Sequence, residues 1–172
     1  MSATLFDRME PSRRMEAAFS PDRVYRYWLK RTWNEHASAL AIVGLNPSTA
    51  DETHDDPTIR RCVGFAHRWG FGGIVMLNLF AFRSTDPAGL NTASDPVGPE
   101  NDRVLVELTR DRSTLCAWGV NGSLGGRDVA VCKLLRGLGR TLVCLGTTKG
   151  GHPRHPLYVK GDTQRIAFGG AR

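Results

Sequence analysis

Four short apolar runs constrain this chain more than any other feature: "LAIVGL" (40–45), "GIVMLNL" (73–79), "TLCAWG" (114–119) and "TLVCLG" (141–146). They are rich in Val, Ile and Leu and lack polar alternation. Strands buried on both faces of a parallel sheet read this way, because helices cover each face. Helical patterns lie between the runs. In "DPTIRRCVGFAHRWG", Asp56 supplies an N-cap and Pro57 takes the first helical position, where its missing N–H costs nothing. Ile59, Cys62, Val63, Ala66 and Trp69 then recur on one face. "GPENDRVLVELTRD" and "RDVAVCKLLRGLG" repeat the pattern less cleanly. Strands alternating with helices predict an α/β, three-layer sandwich around a four-stranded parallel sheet. "RVYRYWLKRTW" (23–33) alternates partly with period two and reads as an added edge strand.

A chain of 172 residues suits a single domain with a full core. Residues 1–39 read as an N-terminal extension packed on a core spanning 40–160. Hydrophobic content of 41% and charged content of 23% exclude a disordered chain. No apolar run approaches a membrane span. The first residues lack the apolar core of a signal peptide, so a cytoplasmic location is expected, without a membrane partner. The four cysteines, at 62, 116, 132 and 144, form no CxxC pair and read as buried thiols. A net charge of +6 favours a polyanionic partner. Arg13-Arg14, Lys30-Arg31 and Arg60-Arg61 each read on their own as a solvated face.

In a sheet of this kind, ligands bind beyond the carboxyl ends of the strands. The first run delivers Asn46, Pro47 and Ser48 there. The second delivers Asn78, followed by "LFAFRSTDP"; the third Trp118 and Gly119, then Asn121; the fourth "GTTKGGHPRHPLY", with His152 and His155. The polar break after Leu45 is therefore read as one wall of a pocket. Several chemistries are excluded. No phosphate loop, dinucleotide fingerprint or nucleophile elbow is present. Proline follows both histidines, so no helix presents them to a metal, and no cofactor is expected. Asp51 and Asp55 are available as accessory carboxylates near Asn46, although acids beside a turn commonly cap it.

The order and spacing of these strand ends resemble the uracil-DNA glycosylase superfamily. "GLNPS" (44–48) resembles that family's first motif, closest to its mismatch-specific branch; "VMLN" (75–78) resembles its base-reading asparagine. "AWG" (117–119) is similar to a third-strand motif, and "HPRHPL" (152–157) to the histidine loop after the fourth strand, with one residue more. The resemblance implies a strand order 2-1-3-4, base flipping, and hydrolysis of the N-glycosidic bond of a mispaired or modified base in DNA. It implies Asn46 and His155 or His152 as catalytic residues, and a monomer. Gly44, Pro47, Ser48, Asn78, Phe80, Phe82, Arg83 and Asn121 would bind the substrate, with Phe80 or Phe82 as stacking face. Asn46 departs from an aspartate: it can orient water but takes no proton from it. The whole string also resembles a bacterial and phage family, domain of unknown function 1643, which brings no activity with it. Two other functions fit the same residues: a module that grips nucleic acid or a nucleotide without cutting it, and an enzyme on a free nucleotide or nucleoside.

Overall fold

The computed structural model describes residues 13–170; the first twelve residues, where no signal-peptide core is read, lie outside them. The strands are β1 (Arg14–Phe19), β2 (Arg26–Thr32), β3 (Ala39–Gly44), β4 (Gly73–Asn78), β5 (Thr114–Cys116), β6 (Leu142–Cys144) and β7 (Ile166–Ala167). The helices are α1 (Pro57–Arg68), α2 (Asn101–Leu108) and α3 (Arg127–Gly137). The strands form one mixed sheet in the order β1-β2-β4-β3-β5-β6-β7.

The expected four-stranded parallel sheet is therefore a seven-stranded mixed one. Its central block, β4-β3-β5-β6, is the four apolar runs, paired in parallel. That block alone would leave two apolar edges open, and open edges pair with whatever reaches them. Here β2 runs antiparallel along β4, with Leu29 opposite Met76, and β7 covers β6, with Ile166 opposite Cys144. The segment read as an edge strand is β2, an inner strand, because β1 pairs along its far side.

The two-residue period of β3 divides the core into two layers. Leu40 and Ile42 pack on one face with Ile59, Cys62, Phe65 and Ala66 of α1. Ala41 and Val43 pack on the other with Val104 and Leu105 of α2 and Val131 and Leu135 of α3. Each large aliphatic side chain buried this way contributes about 1.5–3 kcal/mol. Phe65 joins the buried face of α1, while Val63 and Trp69 are only partly covered. Asp56 caps α1 as expected, its Oδ1 accepting from the Ile59 N–H at 2.8 Å. All four cysteines are buried and none is in a disulfide; burial pushes the Cys62 thiol up to about 12. Among the described residues no helix is long and apolar enough to cross a membrane.

One buried cation sets the loop between β3 and α1. Arg31, fully buried on β2, donates from Nε to Asp55 Oδ1 at 2.8 Å. It also donates from Nη2 to the carbonyls of Asp51 and His54, at 2.5 and 3.2 Å. Arg13 Nη2 lies 2.9 Å from the other Asp55 oxygen. The loop is thus tied to the sheet at three places, and it carries Asn46 and Ser48.

Candidate functional site

Strands β3 and β4 end side by side, with Gly44 opposite Asn78 in the parallel register. Beyond them the loops part and leave a cleft of about 310 Å³. Pockets for small ligands begin at roughly this size. The β3 loop contributes Asn46 and Ser48, the β4 end Asn78, and the β5 end Trp118, Gly119 and Asn121. His155 and Tyr158 come from the segment after β6, and Asp56 and Thr58 from the start of α1. This is the carboxyl end of the parallel block, where such folds place ligands.

The floor is built by close approach. A Cβ on Gly44 would stand 2.6 Å from Met76 Cε and 3.0 Å from Asn78 Oδ1, so a larger residue there would displace the Met76 tip and crowd that amide. The backbone that carries Asn78 is held by another amide: Asn101 Nδ2 donates to the carbonyls of Asn78 and Leu79, at 3.1 and 3.0 Å. Arg127 Nε adds a third bond, to Leu79 O at 2.8 Å, and Asp102 fixes that arginine at 2.6 Å. The Asn78 side chain is left out of this network. It is 1% exposed, and neither its Nδ2 nor its Oδ1 has a partner. A buried amide without partners is costly.

Asn46 behaves differently. Its Nδ2 donates to Pro47 O at 3.0 Å and to Ser84 O at 2.9 Å, while Ser84 N donates back to Pro47 O at 3.0 Å. Both acceptors are carbonyls, so the amide orientation is fixed by chemistry, and Oδ1 is the polar atom it keeps for the cleft. His155 is fixed too. The Leu157 N–H donates to its Nδ1 at 3.2 Å, which places the proton of the neutral ring on Nε2. Burial lowers its pKa below the ordinary 6.5, against an opposing pull from Asp56, so the ring is neutral at neutral pH.

The span of chain that builds this cleft also decides the family. A family model, Protein of unknown function (DUF1643), matches residues 26–157. The chain belongs to the DUF1643 family. Nothing among curated proteins or solved structures matches it. The DUF1643 match begins at Arg26 and ends at Leu157, and both residues line the cleft.

In this DUF1643 protein, the sequence-derived site divides. Gly44, Asn46, Ser48, Asn78, Asn121 and His155 come together in the cleft. His152 does not: it belongs to the turn in which Thr148 N donates to its carbonyl at 2.9 Å, and the structure favours His155 of the pair. Phe80 is 2% exposed in the core: the chain bends at Leu79, the strand alternation breaks, and Phe80 joins the layer of Leu77 and Leu79, with its N–H on Leu45 O. Phe82 packs edge-on against Tyr25 at 6.2 Å. Neither ring reaches the cleft; Trp118 does, packed edge-on at its far side by Phe168. Its signal was the "AWG" motif itself. Arg83 lies over the Phe19 ring and donates to Arg23 O at 3.1 Å, away from the cleft. Pro47 is buried behind Asn46 and acts through its carbonyl. Asp55 is consumed by Arg31 and Arg13. Asp51 accepts from the N–H groups of Thr53 and His54, both at 2.8 Å, bonds that hold its carboxyl far below the usual range and cap a turn. Arg26 was not foreseen: an arginine in a partly alternating strand reads as a surface residue.

Proposed function

We propose that the cleft takes a nucleobase extruded from DNA, in the manner of the uracil-DNA glycosylase-like fold, and that the protein hydrolyses its N-glycosidic bond. The observation that carries this reading is Asn78: a buried amide with donor and acceptor both unpaired matches the paired donor and acceptor on the edge of a base. The strand order of the central block agrees with the one the glycosylase resemblance implies. His155 donates from Nε2 to a carbonyl oxygen of the departing base, and Asn46 Oδ1 accepts a hydrogen from water and turns its lone pair toward the sugar. Lys149 and Arg154, both exposed on the segment leading to His155, are placed to meet phosphates.

The test is base release from oligonucleotides carrying U·A, U·G, T·G, hypoxanthine or alkylated bases, followed by alkaline strand cleavage. Release above background from at least one mispaired or modified base is expected; no release from any of them sinks the reading. A second reading, a module that holds the base without cutting it, is favoured by Asn46, because an amide removes no proton from water.

A further inference from the structure

Arg26 is the cleft residue that the chemistry so far leaves without a task. It opens β2, is 2% exposed, and lines the cleft together with Asn78 and Asp56. Its Nη1 donates to Ala50 O at 2.7 Å, and its Nε is buried without a partner. Other arginines hold a carboxylate: Arg31 and Arg13 share Asp55, Arg23 holds Glu52, and Arg127 holds Asp102. Among the described residues no carboxylate is paired with Arg26. Burial pushes its guanidinium down to about 10; Asp56 and Asp51 oppose this, and Arg83 and Arg31 reinforce it. The group remains charged at neutral pH. A buried cation with no carboxylate in contact is expensive, and the open side of this one is the cleft. A guanidinium only donates, so the atom facing it must be an acceptor.

We propose that Arg26 is the counter-ion for the negative charge that develops on the base as its bond to the sugar breaks. The inference rests on the reading of the cleft as a base pocket. The bond between C1′ and the ring nitrogen breaks heterolytically, and both electrons go to the base. Water then bonds to C1′ and gives its proton to solvent. A fixed cation beside the ring holds the anion during that step, in a site where little water screens it. Bases whose rings ionise to anions, those with carbonyl edges, gain from this arrangement.

The proposal is tested with Arg26→Gln and Arg26→Lys in single-turnover assays on oligonucleotides containing 2′-deoxyuridine or its 5-fluoro analogue. The fluorinated base is the more acidic and needs less help to leave. Arg26→Gln should slow uracil release about 100-fold, the loss usual for one such donor, and release of 5-fluorouracil far less. Arg26→Lys, which keeps the charge, should fall between. An equal loss on both substrates, or none, overturns the proposal. A second measurement needs no bond cleavage: free 5-fluorouracil is titrated into the protein from neutral to alkaline pH. His155 is already neutral over that range, so tighter binding as the ring ionises reports on Arg26, and it should vanish in Arg26→Gln. That outcome in a chain without hydrolytic activity would sink the proposed reaction and keep the counter-ion. Wild-type affinity that does not rise as the ring ionises overturns the counter-ion, whether or not Arg26→Gln folds. Inorganic phosphate that displaces the base from wild type but binds no more to Arg26→Gln also overturns it, because the cation would then serve a phosphate.

Discussion

Two asparagines in one cleft have been given opposite conditions. Asn78 is held ready by bonds to its backbone, and its side chain is unspent. Asn46 spends both amide protons on the loops around it. Their substitutions should therefore separate. Asn78→Ala removes two hydrogen bonds to the base, about 1–3 kcal/mol together, and should weaken binding of a free base about 10- to 100-fold by titration. Asn46→Ala should lower the single-turnover rate more than it lowers affinity, since orienting water matters in the transition state and little before it. His155 sets a pH dependence of stability. Its folded pKa lies below the ordinary 6.5, so the unfolded chain binds the extra proton first. Its stabilisation is full above about 6.5 and is lost as the pH falls through the lower, folded value. Protonation also removes the acceptor that caps the Leu157 N–H. Melting temperature should thus drop on mild acidification, and the drop should shrink in His155→Asn, whose side-chain oxygen still caps but does not titrate.

Helix α1 shows how one element serves both fold and cleft. Asp56 ends the β3 loop, caps α1 and lines the cleft. Asp56→Ala should cost about 1 kcal/mol in thermal or urea unfolding, the usual loss for such a cap. This element was legible in the sequence because Asp-Pro followed by a helical apolar period leaves few alternatives. The four central strands were legible for a similar reason: apolar runs without alternation leave no solvent face. Strand β1, "RMEAAF", was not, since two charges and three small or flexible residues carry no strand signal and only its pairing with β2 makes it one. The two residues of β7 are too few to show any period. In the cleft, side chains at strand ends were readable, because the turn from apolar to polar marks them. Phe80 and Phe82 misled, because the bend after the polar Asn78 breaks the strand alternation and packs both rings against the body of the protein. Arg26 and Asn101 were invisible, because their neighbours come from distant parts of the chain.

At the scale of the whole molecule, charge and the cleft belong to one argument. A chain of net charge +6 that binds DNA through phosphates should lose affinity steeply as salt rises, because each neutralised phosphate releases counter-ions. A fluorescence-anisotropy titration at several salt concentrations checks this; no binding at low salt would shift weight to a free nucleotide. The order in which the walls appear along the chain has its own consequence. Arg26 stands near the beginning, Asn46 and Asn78 follow, and His155 and Tyr158 come near the end. Strand β2 has no partner on its β4 side until residues 73–76 have been made. A ribosome emits these walls one after another, so a nascent chain has half a cleft and no opposing histidine until the segment after β6 emerges. On the proposed reading, a copy that lacks this segment meets DNA only as a basic polymer and cannot cut it: the capacity for chemistry arrives in a single step, once the residues after β6 are made.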